Sequence, residues 1–198
     1  MIKTIIFDNG GVLVEDFWPK FEENLKDKYQ QVPGNNLAKI FEYSRQTTTG
    51  QRSFETLIEE IRKLTKDDED FYDLYHPKAV RPEVIAYAKE VGQDFELALL
   101  TNELSNFDRD NKLWQLERSF GQNIFQSSKI GLSKPDPKIY QYVLEKLQRK
   151  PKEVIFIDDK ERNLEGARKV GLNTLQFMSL DQLKKDLPKL VKEVNDRK

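Results

Sequence analysis

Short runs of β-branched and aromatic residues recur along the chain, and each breaks at once into polar residues or glycine. Lys3 to Phe7 leads into Asp8-Asn9-Gly10-Gly11, Leu97 to Leu100 into Thr101-Asn102, and Val154 to Ile157 into Asp158-Asp159. A short unbroken apolar run bounded by turn residues predicts a strand buried on both faces. Leu172 to Phe177 predicts a weaker, mixed strand. Segments of helical period lie between these runs. Asp136 predicts an N-cap with Pro137 at the first helical position, ahead of Lys138 to Gln148, which carries Ile139, Val143, Leu144 and Leu147. Asn163 to Val170 predicts a helix closed by Gly171. Ser179 and Gln182 have capping-box spacing, and Pro188 is expected to kink or end the helix they open. Strands alternating with helices from Pro82 to Phe177 predict a parallel α/β sheet with right-handed crossovers.

Residues 15–80 break this alternation. Phe17, Trp18, Phe21, Phe41, Tyr43, Phe54, Phe71, Tyr72 and Tyr75 are scattered among charges at helical spacing, and no strand pattern shows. The expected architecture is an α/β, Rossmann-like core of residues 1–14 and 81–198, with a small helical cap, residues 15–80, inserted after the first strand. There is no internal repeat. The acidic run Lys66 to Asp70 lacks the glycine and alternating ligands of a calcium loop and reads as a solvated helix start.

Composition narrows the chemistry. The chain has 198 residues, 33 Lys plus Arg against 34 Asp plus Glu, no cysteine, and a single histidine, His76. Thiolate nucleophiles, iron–sulfur clusters and Cys-based zinc sites are excluded. A site of several histidines cannot form within one chain, and His76, before Pro77, reads as a helix-end or surface residue. A net charge of −1 argues against a nucleic-acid partner. No apolar run approaches the ~20 residues that span a bilayer, so no membrane association is expected. The apolar start of the chain breaks at Asp8 and lacks a signal-peptide cleavage site. A cytoplasmic setting is the expectation, with oligomeric state left open.

Ligands of open parallel sheets bind beyond the carboxyl ends of the strands. Three such ends carry Asp8, Thr101-Asn102 and Asp158-Asp159, and Gly131-Leu-Ser-Lys134-Pro-Asp-Pro brings a lysine to a capped helix start. Carboxylates suit Mg²⁺, a hard cation with oxygen ligands. One carboxylate can attack phosphorus, while a hydroxyl and an ammonium stabilise the equatorial oxygens.

The segments IIFDNGGVLV, LLTN, GLSKPDPKIY and VIFIDDKERNLEGARKVGL, in this order, resemble the haloacid dehalogenase superfamily of phosphohydrolases. The likeness is greatest to the subgroup of sugar-phosphate phosphatases and the N-terminal phosphatase domain of soluble epoxide hydrolases. The resemblance spans the chain, since members with a cap of the first type carry it at this insertion point. It implies a Mg²⁺-dependent phosphatase acting on a small phosphorylated metabolite, a sugar phosphate by preference, through an aspartyl phosphate. Asp8 would be the nucleophile and a metal ligand, with the Gly10 carbonyl and Asp159 as further ligands. Thr101, Asn102 and Lys134 would bind the phosphoryl group. Asp158 and Asn163 would support the metal from behind.

One position departs from the family pattern. Active phosphatases of the family usually carry an aspartate two residues after the nucleophile, where this chain has Gly10, although some members of the similar subgroup also read Asp-x-Gly-Gly-Val. Two alternatives follow. One is a weak or inactive relative that binds a phosphorylated ligand or a protein partner. The other is a metal-independent 2-haloacid dehalogenase, which the retained Asp158-Asp159 pair disfavours. Each motif alone has a plainer reading: Asp8 as a turn cap, Thr101-Asn102 as a strand end, Lys134 as a surface lysine, Asp158-Asp159 as a helix-start charge pair. Their co-occurrence on successive strand ends favours the catalytic one. Gly166 to Gly171 has phosphate-loop spacing but falls within and at the end of a helix, so it is set aside. Phe17 and Trp18 are candidates for a pocket wall, Glu15 and Asp16 for a replacement acid. Arg45 and Arg52 are candidates to hold a substrate hydroxyl or a second phosphate, with surface charge the favoured reading.

Overall fold

The computed structural model describes residues 1–15, 23, 33–66, 80–102 and 116–197. Five strands form one sheet: β1 (Thr4–Phe7), β2 (Glu96–Thr101), β3 (Ile124–Gln126), β4 (Val154–Asp158) and β5 (Asn173–Gln176). Their order is β3-β2-β1-β4-β5 and every pair is parallel. Phe7 lies level with Leu99 on β2 and Ile157 on β4, so the polar residues that follow each strand emerge along one edge. The order in which successive strands are added reverses between β1 and β4, the switch point beside which such sheets bind their ligands.

Alternation along β1 sorts the core into two layers. Ile5 and Phe7 pack with α3 (Pro82–Val91), α4 (Glu117–Phe120) and α8 (Leu180–Asp196), through Val84, Ala88, Phe120, Leu183 and Leu187. Ile6 packs on the other face with α6 (Pro137–Leu147) and α7 (Glu161–Arg168), through Ile139, Tyr140, Val143, Leu164 and Phe156 of β4. Each fully buried Ile or Phe contributes about 1.5–3 kcal/mol to holding the strands in register.

Three sequence expectations need correction. β3 was not foreseen: its three residues are too few to show a period, and among the described residues it pairs with β2 alone. Helix α7 starts at Glu161, before Asn163, and ends at Arg168, with Gly171 (φ 86°) in the turn beyond. Pro188 sits inside α8 and does not end it. Pro188 and Lys184 are both exposed, so the carbonyl freed by the missing N–H can be hydrated. The Asp136 cap is as expected, its carboxylate accepting the Lys138 N–H at 2.9 Å. Ser179 accepts from Gln182 N at 3.1 Å, but the Gln182 side chain reaches back to Met178 N rather than to the cap.

Between β1 and α3 the chain forms α1 (Gly34–Thr48) and α2 (Phe54–Thr65, capped by Ser53), which pack on each other. Val14, just after β1, pairs antiparallel with Val80, just before α3. Arg81 ties this stem down: its N–H donates to Leu13 O at 2.9 Å and its guanidinium to the carbonyls of Gly11 and Val12. At the far end of α1, Ser127 Oγ of the short helix α5 (Ser127–Ile130) donates to Thr48 O. Asp16, Phe17, Trp18, Phe21, the acidic run from Asp67, Phe71, Tyr72, Tyr75 and His76 lie outside the described residues.

Candidate active site

β1 delivers Asp8 to the edge of the sheet, its N–H still bonded to Ile157 O at 2.9 Å. The chain then folds back sharply: Asn9 O accepts from Val12, Leu13 and Val14 at 3.2, 2.9 and 3.0 Å, and Gly10 bridges to Val14. Gly11 is required twice over. Its φ is +88°, and a Cβ there would fall 2.3 Å from both Cγ and Oδ2 of Asp159. The turn after β1 thus nests against the carboxylate that follows β4. Oxygens of Asp8, Asp158 and Asp159 come within 4.8 Å of one another.

Lys134 enters this group from the loop before α6. Its amine lies 2.7 Å from Asp8 Oδ1 and 2.8 Å from Asp158 Oδ2, with both partners buried. Asp158 is held further by Asn163 Nδ2, 3.0 Å from each carboxylate oxygen, and by the Lys160 N–H at 2.8 Å. Asn163 is fixed in turn by Tyr140, whose hydroxyl donates to its carbonyl at 2.7 Å. Tyr140 stacks edge-on against Phe156, and the Lys134 amine stands 5.4 Å from the Phe156 ring centre.

These contacts divide the two carboxylates that share Lys134. Burial, and then the charge of Asp158, push the Asp8 pKa well above the usual carboxylate range, and Lys134 only partly offsets this. Burial pushes Asp158 the same way, but the Lys134 charge and the hydrogen bonds of Lys134 and the Lys160 N–H outweigh it and leave its pKa lowered. Burial disfavours the charged form of Lys134, yet the two carboxylates overcome that and hold its pKa up. When all three aspartates are ionised, three negative charges face one ammonium. At about 4 Å two like charges repel by ~4 kcal/mol in a protein-like dielectric. A compact set of hard oxygen donors with excess negative charge suits a divalent cation such as Mg²⁺.

The other expected residues fall as follows. Thr101 ends β2, buried, level with Gln126 of β3. Asn102 follows it, and its carboxamide engages the main chain of Lys134, with Oδ1 accepting from Lys134 N at 2.8 Å and Nδ2 donating to Lys134 O at 2.7 Å. Arg45 is exposed and pairs with Glu42. Arg52 is half-buried, bonded to Gln46 Oε1 at 3.1 Å and stacked 4.0 Å from the Tyr43 ring centre. Glu15 is exposed. Sequence reasoning missed Tyr140 and Gly11 as parts of the site. It set Gly166 aside as a phosphate loop, and the structure supplies a packing reason for that residue: a Cβ at Gly166 would lie 2.3 Å from Pro135 O, so its absence lets α7 close on the Lys134 loop.

Comparison with known proteins bears on the family and the fold. The chain spans about a fifth of the length of the first curated relatives it matches, among them bifunctional epoxide hydrolase 2 of Rattus norvegicus. That protein is 32% identical over 114 residues, covering 56% of this chain and 21% of the relative. A phosphorylated carbohydrates phosphatase of Thermotoga maritima is 23% identical over 188 residues, 88% of this chain and 84% of that one. Among solved structures, a HAD family enzyme of Bacteroides thetaiotaomicron, crystallised with magnesium and inorganic phosphate, superposes with a TM-score of 0.74. It is 21% identical and the match covers 91% of this chain and 96% of that one. The family description "haloacid dehalogenase-like hydrolase" matches residues 2–171, and the chain belongs to that family of hydrolases.

Proposed function

We propose that this hydrolase is a Mg²⁺-dependent phosphatase of small phosphomonoesters, with sugar phosphates as the preferred class, working through an aspartyl phosphate on Asp8. One observation carries this reading: three carboxylates at the ends of β1 and β4 lie within 4.8 Å of one another, and two of them share a single buried ammonium. Asp8, Asp159 and the Gly10 carbonyl would hold the ion, with Asp158 and Asn163 behind them. The ion would offset the repulsion between the Asp8 carboxylate and the incoming phosphate. Asp8 attacks phosphorus, the bond to the ester oxygen breaks, and the Thr101 hydroxyl and Lys134 amine stabilise the equatorial oxygens. Water then attacks the phosphorus of the aspartyl phosphate and regenerates the Asp8 carboxylate. The T. maritima relative, named for phosphorylated carbohydrates, supports the substrate class. Residues 15–80, hinged at the Val14–Val80 pair, would act as a cap that excludes bulk water and selects the substrate.

Gly10 leaves the ester oxygen without the family's proton donor. General acid–base help is worth about 10²–10⁴-fold, so alkyl phosphates should turn over slowly, and anomeric or acyl phosphates, with better leaving groups, should suffer less. The same glycine favours the second reading, a binding protein with little turnover. A phosphate-release screen over sugar, nucleotide and acyl phosphates, with and without Mg²⁺, decides between them. The phosphatase reading expects Mg²⁺-dependent release that Asp8→Asn abolishes. Absence of release, or release indifferent to Asp8→Asn, overturns it.

A further inference from the structure

We propose that Asn102 is a positioning residue, acting through the main chain of Lys134 rather than on the substrate. This rests on the phosphoryl-transfer reading and refines one of its parts. The carboxamide closes a two-bond ring on Lys134, accepting its N–H at 2.8 Å and donating to its C=O at 2.7 Å. Reversing the amide would set donor against donor and oxygen against oxygen, so the partners fix its orientation. A lysine stem has four rotatable bonds and about 2 kcal/mol of rotamer entropy, and its amine finds one place only if its root is held. Asn102 holds the root, while Asp8 and Asp158 hold the amine. The opposite side of the loop is gripped by α7, where Gly166 meets Pro135 O.

The arrangement has a consequence for geometry at phosphorus. Thr101 and Asn102 are consecutive at the end of β2. One residue offers its hydroxyl and the next anchors the lysine, so two groups arriving from positions 101 and 134 are held in fixed relation by a single strand end.

The test pairs turnover with amide exchange. Asn102→Ala is expected to lower kcat about tenfold or more, as misplacement of a reacting group by about an ångström does. KM and the inhibition constant of inorganic phosphate should stay within about twofold. On a Lys134→Ala background the same change should cost nothing further, since no amine remains to position. Hydrogen exchange at the Lys134 N–H should accelerate in Asn102→Ala, which removes its acceptor. A rise in KM or in the phosphate inhibition constant at unchanged kcat overturns the proposal, because it marks direct substrate contact. So does a full extra loss on the Lys134→Ala background, or unaltered exchange at Lys134. The exchange measurement needs no substrate: if no phosphomonoester is hydrolysed, the phosphatase reading fails while exchange still decides whether Asn102 holds the loop.

Discussion

The two ends of the same sheet are built on opposite electrostatic plans. At the amino-terminal edge, Glu96 of β2 accepts from Thr4 at 2.9 Å, Arg149 at 2.9 Å and Asn123 at 3.2 Å. One carboxylate meets one guanidinium, and their side chains are 34% and 27% exposed. At the carboxyl edge, the Asp8, Lys134 and Asp158 side chains are 7%, 1% and 0% exposed, and Asp159 adds a further carboxylate. A balanced, wetted pair asks for nothing more. A buried excess of negative charge is costly unless a cation or a proton offsets it. The difference separates a structural polar cluster from one arranged for chemistry.

The sharpest way to break that contrast is Asp8→Asn, which should reduce phosphate release by about 10⁴-fold or more, as loss of a nucleophile does. The same variant should keep or raise its melting temperature without divalent cations, because it removes a charge from the crowded end. Next is Lys134→Ala. It strands two buried carboxylates and should cost about 3–5 kcal/mol in urea denaturation. Adding Mg²⁺ at a hundredfold excess over Kd should stabilise the protein by about 2.7 kcal/mol, and this gain should vanish in Asp159→Asn.

That gain depends on pH with a definite sign. Binding needs an ionised Asp8, whose pKa is raised by burial and then by Asp158. Mg²⁺ affinity should therefore weaken as pH falls through a range above that of an ordinary carboxylate. In cation-free protein the sign reverses. The stability that protonated Asp8 contributes is fully present below its unfolded-state pKa, and it is lost as pH rises through the folded one. Denaturation midpoints of wild type and Asp8→Asn compared across pH, with and without Mg²⁺, check both signs. The smallest effect belongs to the other end of the sheet. Arg149→Met should change stability by less than about 1 kcal/mol and leave turnover unaltered.

The residues gathered at the carboxyl end of the sheet were more legible in the sequence than the contacts that hold them. Asp8, Thr101, Lys134 and Asp158-Asp159 each follow an apolar run or precede a capped helix, and the parallel register brings those strand ends together. What the pattern did not show is how they are held. Tyr140 reads as a core residue of α6, and only the fold reveals that its hydroxyl reaches Asn163 O. Asn102 was expected to face the substrate, and its partner lies 32 residues away on a loop no local pattern connects to it. Gly11 lies in a visible turn, but its lack of a Cβ also makes room for Asp159, a long-range demand. Ile124–Gln126 escaped because so short a strand is specified by its neighbour rather than by its own residues.

The central claim is that Asp8 and Asp159, from opposite ends of the chain, hold one divalent cation. Calorimetric titration of the protein with Mg²⁺ tests it most directly. The account predicts one ion per chain, with binding lost or severely weakened in both Asp8→Asn and Asp159→Asn and retained in Arg149→Met. No binding to the wild type, or binding that survives both aspartate substitutions, would contradict it.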